Sequence, residues 1–231
     1  MTILTVGTAP HEHRTANCLT SSQDGDRKVD QVMERSAVEF AARRYVLQRA
    51  VLDAPSLEFF YRYALTRAAS GTMTLRDEQV PGTPSAYGDP TMEMLLEDLR
   101  PTVERATGLS LFPTYAYFRV YKRGDVLERH RDRPSCEVSV TLNLGCSPDE
   151  PWPIWIQGPT GTASVAMRPG DALIYRGCDC DHWREAFAGD HAAQVFLHYV
   201  NENGPYAEWK FDKRPSLSSL RQIITGEKGT P

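Results

Sequence analysis

The chain has 231 residues, of which 41% are hydrophobic and 24% charged, and its formal net charge is −4. These values suit one soluble domain with an ordinary core, and they exclude a general attraction to nucleic acid or to a membrane, since no apolar run approaches the roughly 18–20 residues of a membrane span. Five cysteines, an odd number, and a start without a signal-peptide pattern predict reduced thiols in a cytoplasmic protein.

The N-terminal part of the chain divides into a tail and two predicted helices. Residues 1–27 are rich in Thr, Ser, His and Asp and show no periodicity, which indicates a loose tail. From Val29 onward apolar residues recur at helical spacing, and we expect this helix to run to about Leu52. Ser56, just after a proline, then begins a second helix, "SLEFFYRYALTRAA".

A long loop separates these helices from the next helical segment. Residues 71–90 contain three prolines and three glycines, and a loop of this length in a compact domain is often functional. Thr91 is then expected to cap "MEMLLEDL", and a further helical piece after Pro101 should reach Gly108. Together, residues 28–108 are predicted to form a helical support region.

Beyond this region the pattern changes to short β-branched and aromatic segments separated by Gly, Pro and Asp. Helices followed by strands predict an α+β domain in which helices pack against an antiparallel sandwich or barrel. We therefore place a strand-rich core at 109–212 and a C-terminal helix and tail, including "SLSSLRQII", at 213–231. The predicted strand segments are "TYAYFRVY", "CEVSVTLNL", "WPIWIQ", "ASVAM", "DALIYR" and "AAQVFLHYV".

Within the strand region the motif H-x-D stands out. His130 and Asp132 are two residues apart, so on a strand both side chains face the same side, and His182 follows 50 residues later. Two histidines and one carboxylate are the ligand set of non-haem Fe(II) oxygenases, which leave positions open for a cosubstrate and O2. Alone, H-x-D is a weak signal, and a solvated edge strand with a chance histidine is then the better explanation.

The surrounding residues favour the metal interpretation. The run "RVYKRGDVLERHRD", from Arg119 to Asp132, resembles the R-x-Y-x-x-G-x-x-x-x-x-H-x-D pattern of the prolyl-4-hydroxylase-like branch of the Fe(II)/2-oxoglutarate-dependent dioxygenases. The helix and strand before it, and "RPGDALIYRG" and "DHWREAF" after it, are similar to the same branch, so that the resemblance covers about residues 92–202.

This resemblance implies a double-stranded β-helix, or jelly-roll, core with N-terminal packing helices. It further implies Fe(II) held by His130, Asp132 and His182, with 2-oxoglutarate and O2 as cosubstrates. The implied activity is the hydroxylation, or another oxidation, of an unactivated C–H bond with release of succinate and CO2.

Two candidate cosubstrate residues follow from position and parity. Tyr121 stands where the family has a tyrosine that lines the cosubstrate pocket. Ser139, Thr141 and Asn143 alternate along one strand and face one side, and buried polar groups need partners, so Asn143 is a candidate contact for 2-oxoglutarate.

The chain departs from the family at the cation that pairs the far carboxylate of 2-oxoglutarate. The family usually has Lys or Arg about ten residues after the second histidine, whereas position 192 here is alanine. We expect Arg119, which shares strand parity with Tyr121, to replace it, and Arg184, which shares parity with His182, as the second choice. Gln194 and His198 are expected to act as supporting donors.

Other functions remain open at this level. A non-catalytic metal-binding jelly-roll and a hydroxylase of protein side chains are alternatives, whereas "CDCDH", residues 178–182, lacks the spacing of a structural zinc site. Because no second domain for a macromolecule is evident, we expect a small-molecule substrate such as an amino acid or a natural-product intermediate. The loop at 76–89 could close over it. Neither a nucleic acid nor a membrane is an expected partner, and the sequence does not indicate an oligomeric state.

Overall fold

The computed structural model describes residues 35–214. The predicted tail at 1–27, the start of the first helix and the C-terminal "SLSSLRQII" lie outside the described residues. Three α-helices are described: α1 (residues 35–43), α2 (Ala54–Ala69) and α3 (Pro90–Thr107). None of them is both long and apolar enough to cross a membrane.

Ten described strands form two antiparallel sheets that face each other. The strands are β1 (Tyr45–Gln48), β2 (Ser85–Tyr87), β3 (Leu111–Lys122), β4 (Leu127–His130), β5 (Val138–Ser147), β6 (Ile154–Gly158), β7 (Gly161–Val165), β8 (Ala172–Arg176), β9 (Asp181–Arg184) and β10 (His191–Asn201). One sheet has six strands in the order β1-β8-β5-β10-β3-β2, and the other has four in the order β4-β9-β6-β7. This is the jelly-roll architecture that the sequence predicts, and each of the six predicted strand segments overlaps one strand, namely β3, β5, β6, β7, β8 or β10.

Strand parity separates an apolar core from a polar interior. Side chains on one face of the six-stranded sheet, such as Phe118, Val140 and Leu197, pack with α2 and α3 into the main hydrophobic core. The alternate residues of the same strands face the four-stranded sheet, and many of them are polar. The helices therefore bury one face of the sheet, and the space between the two sheets is left for a functional site.

The first predicted helix is wrong in its C-terminal half. The helix ends at residue 43, Arg44 takes a positive φ of 64°, and Tyr45–Gln48 form β1, which pairs with β8. Tyr45 and Val46 are both buried, in two different clusters, so both faces of this segment are covered. Burial on both faces suits a strand, and tertiary pairing outweighs the local helical spacing.

The third helix also differs from the prediction at two points. Asp89, not Thr91, is its N-cap, and the Asp89 side chain accepts hydrogen bonds from the backbone amides of Thr91 and Met92 with Pro90 in the first turn. Pro101 does not divide the helix, which continues to Thr107. Pro101 is exposed, so its ring lies on the solvent side of the helix.

Candidate metal centre and adjoining pocket

The three side chains of the H-x-D…H pattern converge at the open end of the interior. Oδ1 of Asp132 lies 3.7 Å from Nε2 of His130 and 3.6 Å from Nε2 of His182. His130 ends β4 and is paired directly with His182 of β9. Asp132 lies just beyond β4, where its backbone amide donates to the carbonyl of Gly177. Two neighbouring strands and one turn thus build this group.

Both histidines present an unprotonated nitrogen to the centre of the group. Nδ1 of His130 lies 2.7 Å from the carbonyl of Glu128, and Nδ1 of His182 lies 3.1 Å from the carbonyl of Cys180. A carbonyl only accepts, so each Nδ1 carries the proton and each Nε2 offers a lone pair. Burial lowers the pKa of His182, which favours the same neutral form. Such backbone contacts are typical of histidines that bind metals.

A cation suits this arrangement better than any side chain nearby. Two Nε2 lone pairs and a carboxylate oxygen converge, and all three are acceptors. Among residues 35–214, only the Tyr175 hydroxyl, 3.3 Å from Nε2 of His182, offers a donor to one of them. Acceptors drawn together in a partly buried site need a shared positive charge. The residues present therefore fit a divalent metal, with an open set of one carboxylate and two imidazoles that is typical of Fe(II).

A cavity of about 430 Å³ adjoins the three side chains. Aromatic residues on the six-stranded sheet form one side of it, and residues 77–79 of the long loop close another part. Leu127 and Ile154 supply apolar surface from the four-stranded sheet. The aromatic and imidazole side chains are Tyr87, Tyr115, Tyr117, Tyr175, Phe196 and His198.

Arg119, the first candidate for the carboxylate anchor, lines this cavity but already has a counter-ion. Its Nε lies 2.5 Å from Oδ2 of Asp77, and its two terminal nitrogens donate to the Tyr121 hydroxyl at 3.2 Å and to Oε1 of Gln79 at 2.6 Å. Only 4% of the residue is exposed. The structure therefore uses Arg119 to hold the long loop, and its charge is neutralised there.

Arg184, the second candidate, is buried without any carboxylate partner among the described residues. It is 1% exposed, and burial lowers its pKa to about 10. Nη1 donates to the carbonyl of Trp152 at 2.6 Å, Nη2 lies 3.5 Å from Oε1 of Gln194, and Nε has no partner. A guanidinium in this setting is costly unless an anion meets it.

The remaining predicted contacts fall into two groups. Asn143 and Gln194 lie in the same part of the interior as Arg184, and Nε2 of Gln194 donates to Oδ1 of Asn143 at 3.1 Å. Tyr121, buried against Trp152, also lies on this side. His198 lies elsewhere, because it is four positions from Gln194 along β10, about 13 Å at the strand rise. The expectation that His198 supports the anchor together with Gln194 does not agree with this placement.

His198 instead lies beside the candidate metal ligands. Its Nδ1 is 3.0 Å from Oγ of Ser139, which donates to Oδ2 of Asp132 at 2.7 Å. The cysteines of "CDCDH" contact backbone carbonyls: Sγ of Cys178 lies 3.3 Å from that of Arg133, and neither Cys178 nor Cys180 belongs to a candidate metal group among residues 35–214.

Sequence reasoning missed several residues of the site. Asp77, the partner of Arg119, lies 42 positions away in a loop, and no local pattern connects the two. Tyr175 and Ser139 lie on predicted strands, and strand parity indicates that Ser139 faces inward, but no sequence pattern assigns a function to either residue.

Solved structures with the same fold have been found for this chain. A prolyl-4-hydroxylase of Pseudomonas putida has a TM-score of 0.60 at 18% identity, covering 73% of this chain and 98% of the other. A prolyl hydroxylase of Trichoplax adhaerens, in complex with a fragment of hypoxia inducible factor, has a TM-score of 0.66 at 14% identity, covering 84% and 99%. The epimerase SnoN of nogalamycin biosynthesis, in complex with Fe3+, alpha ketoglutarate and nogalamycin RO, has a TM-score of 0.63 at 14% identity, covering 81% and 91%.

These similarities confirm the predicted fold class, the α+β jelly-roll found among the Fe(II)/2-oxoglutarate-dependent oxygenases. At such low identity they establish the fold alone. No family model and no curated protein sequence matches the chain.

Proposed function

We propose that the protein is an Fe(II)/2-oxoglutarate-dependent oxygenase. The observation that carries this proposal is the combination of the convergent His130, Asp132 and His182 with a buried arginine, Arg184, in the same interior, which has no carboxylate partner among the described residues. With Fe(II) and 2-oxoglutarate bound, such a site uses O2 to oxidise an unactivated C–H bond and releases succinate and CO2. Structural neighbours that bind Fe3+, nickel and 2-oxoglutarate support the same cofactors.

Each ligand residue would have a defined task. His130 and His182 would bind the metal through Nε2, because each Nδ1 proton is given to a backbone carbonyl. Asp132 would supply the carboxylate and neutralise part of the metal charge. A halogenase would need a small residue at position 132. Because Asp132 is present, hydroxylation or a related oxidation is favoured instead.

Arg184 is the best candidate to bind the far carboxylate of 2-oxoglutarate. It lies two residues after His182 with the same parity, about 6.5 Å farther along the strand, which suits a five-carbon dicarboxylate whose other end is at the metal. Within residues 35–214, neither Nε of Arg184 nor the buried Oγ1 of Thr141 has a hydrogen-bond partner, so both could bind a ligand. Tyr121, Asn143 and Gln194 would surround that carboxylate, whereas Arg119 would position the loop.

The substrate class proposed is a small molecule. A cavity of about 430 Å³ lies in the range of small-molecule sites. Among the structural neighbours SnoN and HygX bind an antibiotic, while the Trichoplax enzyme binds a peptide. Asp77, Glu78 and Gln79 line the cavity from the loop predicted to close over it, so shortening this loop should raise the substrate KM or release succinate without product formation.

An anaerobic titration tests the proposal. Adding Fe(II) and 2-oxoglutarate should produce a weak visible charge-transfer band, and admitting air should release succinate. His130→Ala should abolish both signals, whereas His191→Ala, which removes a histidine bonded to Tyr61 outside the site, should leave them unchanged. Metal binding without succinate would instead support the non-catalytic metal-binding alternative, and the absence of both band and succinate would refute an oxygenase.

A further inference from the structure

The two oxygens of Asp132 have different surroundings. Oδ1 faces Nε2 of both His130 and His182, at 3.7 and 3.6 Å. Oδ2 points the other way and accepts a hydrogen bond of 2.7 Å from Oγ of Ser139. One oxygen of the carboxylate thus faces the candidate metal position, and the other is hydrogen-bonded to the protein.

The hydrogen bonds behind Oδ2 have a fixed direction. A carboxylate only accepts, so the single proton of the Ser139 hydroxyl is used for Asp132, and the Cys136 carbonyl at 3.2 Å receives the weaker contact. His198, 3.0 Å from the same hydroxyl, must then donate from Nδ1. His198 and Ser139 are both buried, which protects this chain of bonds from competing water.

The turn between β8 and β9 confines the same oxygen from another side. A Cβ atom at Gly177 would collide with Oδ2 of Asp132 and with the carbonyl of Cys136, and would lie 2.7 Å from Oγ of Ser139. Gly177 does not have a positive φ, so the reason for glycine here is space rather than backbone conformation. The backbone therefore fills the volume into which the carboxylate would have to turn.

A competing explanation is a second metal site. Ligand atoms of Asp132, Cys136 and His198 lie within 4.8 Å of one another, and such a set would suit a softer metal such as zinc. The Ser139 hydroxyl, however, lies between Asp132 and His198 and is hydrogen-bonded to both, while Sγ of Cys136 contacts the Tyr115 hydroxyl at 3.1 Å. Oδ2 of Asp132, Nδ1 of His198 and Sγ of Cys136 are therefore each already in a hydrogen bond within the protein.

We propose that Ser139, supported by His198 and Gly177, restricts Asp132 to binding the metal through Oδ1 alone. This inference rests on the proposed metal site and adds a positioning function for Ser139. If the carboxylate bound through both oxygens, the three side chains would occupy four of the six positions of an octahedral metal instead of three. Restricting it to one oxygen keeps three positions open, two for a chelating cosubstrate and one for O2.

The number of water molecules on bound Mn(II) tests the proposal directly. Line broadening of the Mn(II) electron paramagnetic resonance spectrum by 17O-labelled water counts exchangeable waters and needs neither turnover nor substrate. We expect three waters for the wild-type protein, two for Ser139→Ala and three again for Ser139→Thr, which retains a hydroxyl. Ser164→Ala, on the exposed part of β7, is the matched control and should show three.

His198 provides a second pair of variants if Ser139→Ala does not fold. His198→Asn can place an amide near the position of Nδ1 and should keep three waters, whereas His198→Phe keeps the ring but loses the bond and should lower the count. Variants with two waters should still bind 2-oxoglutarate. Their rate of succinate release should fall about tenfold or more, which is the effect expected when the loss of one buried hydrogen bond raises the activation barrier.

The outcomes separate this proposal from the proposed function. Three waters in both Ser139→Ala and His198→Phe would overturn the proposal that Asp132 is restricted to one oxygen. The proposal would also be overturned if the protein bound a second equivalent of Zn(II) and Cys136→Ser abolished that binding. A wild-type protein that binds Mn(II) but releases no succinate would overturn the oxygenase function alone, because the water count would still apply. No binding of Mn(II) at all would overturn both.

Discussion

Arg119 and Asp77 form an ion pair of 2.5 Å in which the side chains are only 5% and 4% exposed. Asp77 also accepts a hydrogen bond from the Tyr117 hydroxyl and, through Oδ1, from the backbone amides of Gln79 and Val80. The pair thus connects the long loop to β3 at the edge of the cavity. Because Asp77 neutralises Arg119, Arg184 is the buried arginine that remains available for a ligand carboxylate.

Removing one member of this pair should destabilise the protein more than removing both. Asp77→Leu leaves a buried guanidinium without a counter-ion, and Arg119→Met leaves a buried carboxylate, so each should lower the free energy of unfolding by about 3–5 kcal/mol. The double variant should recover much of this loss, since neither charge remains. Urea denaturation of the four proteins measures the coupling, and additive losses would contradict it.

Replacing Arg184 should weaken 2-oxoglutarate binding selectively. Arg184→Met removes the only buried guanidinium of the described interior that lacks a carboxylate, so the Kd for 2-oxoglutarate should rise at least about tenfold while Fe(II) affinity stays nearly unchanged. Arg119→Met is the matched variant and should change this Kd little. Anaerobic titration of the charge-transfer band measures both, and the reverse pattern would assign the anchor to Arg119.

Metal binding should stabilise the protein through the three convergent side chains. At a Mn(II) concentration of about 100 times the Kd, the free energy of unfolding should rise by about 2.7 kcal/mol. His182→Ala should lose this increase, and His191→Ala should retain it, because His191 contacts Tyr61 and is not part of the group. Thermal unfolding with and without a chelator gives the comparison; an equal increase in all three proteins would place the metal elsewhere.

Acid should destabilise the metal-free protein partly through His198. Burial lowers the pKa of His198 to about 4, below the value of about 6.5 in an unfolded chain. The unfolded state therefore binds more protons between these values, so this contribution is fully present above about pH 6.5 and is lost as the pH falls to about 4, a change of about 3 kcal/mol.

The variant His198→Asn should have a smaller pH dependence in this interval. Buried His182 titrates in the same direction but is common to both proteins, so the difference between their unfolding free energies isolates His198. Denaturation at several pH values between about 4 and 7 measures it. Parallel curves for wild type and variant would show that His198 does not titrate in this way.

Local spacing is sufficient to predict six of the ten described strands and to place His130 and Asp132 on one face. The H-x-D motif places two side chains on one face by strand parity, and the resemblance supplied the distant His182. The fold followed because each strand of the core has its own alternating or continuous apolar pattern. These features depend on residues near one another in sequence or on a motif with a fixed spacing.

The features that were missed depend on contacts between distant segments. β1 has four residues, too few to interrupt a helical pattern, and it is a strand because β8 is beside it. Strand parity alone favours Arg119 over Arg184 as the anchor for 2-oxoglutarate. Parity indicates which way a side chain points, but it does not indicate which carboxylate the side chain pairs with. Only the folded loop shows that Asp77 neutralises Arg119.

The pairing of β4 with β9 has a consequence for local stability. β4 is an edge strand of four residues, it pairs only with β9 in the described sheet, and its register shifts between Leu127 and His130. A metal held by His130 and His182 would join these two strands through their side chains. We therefore expect metal occupancy to slow the opening of this edge, and with it amide exchange near His130, whereas the six-stranded sheet should keep its protection without the ion.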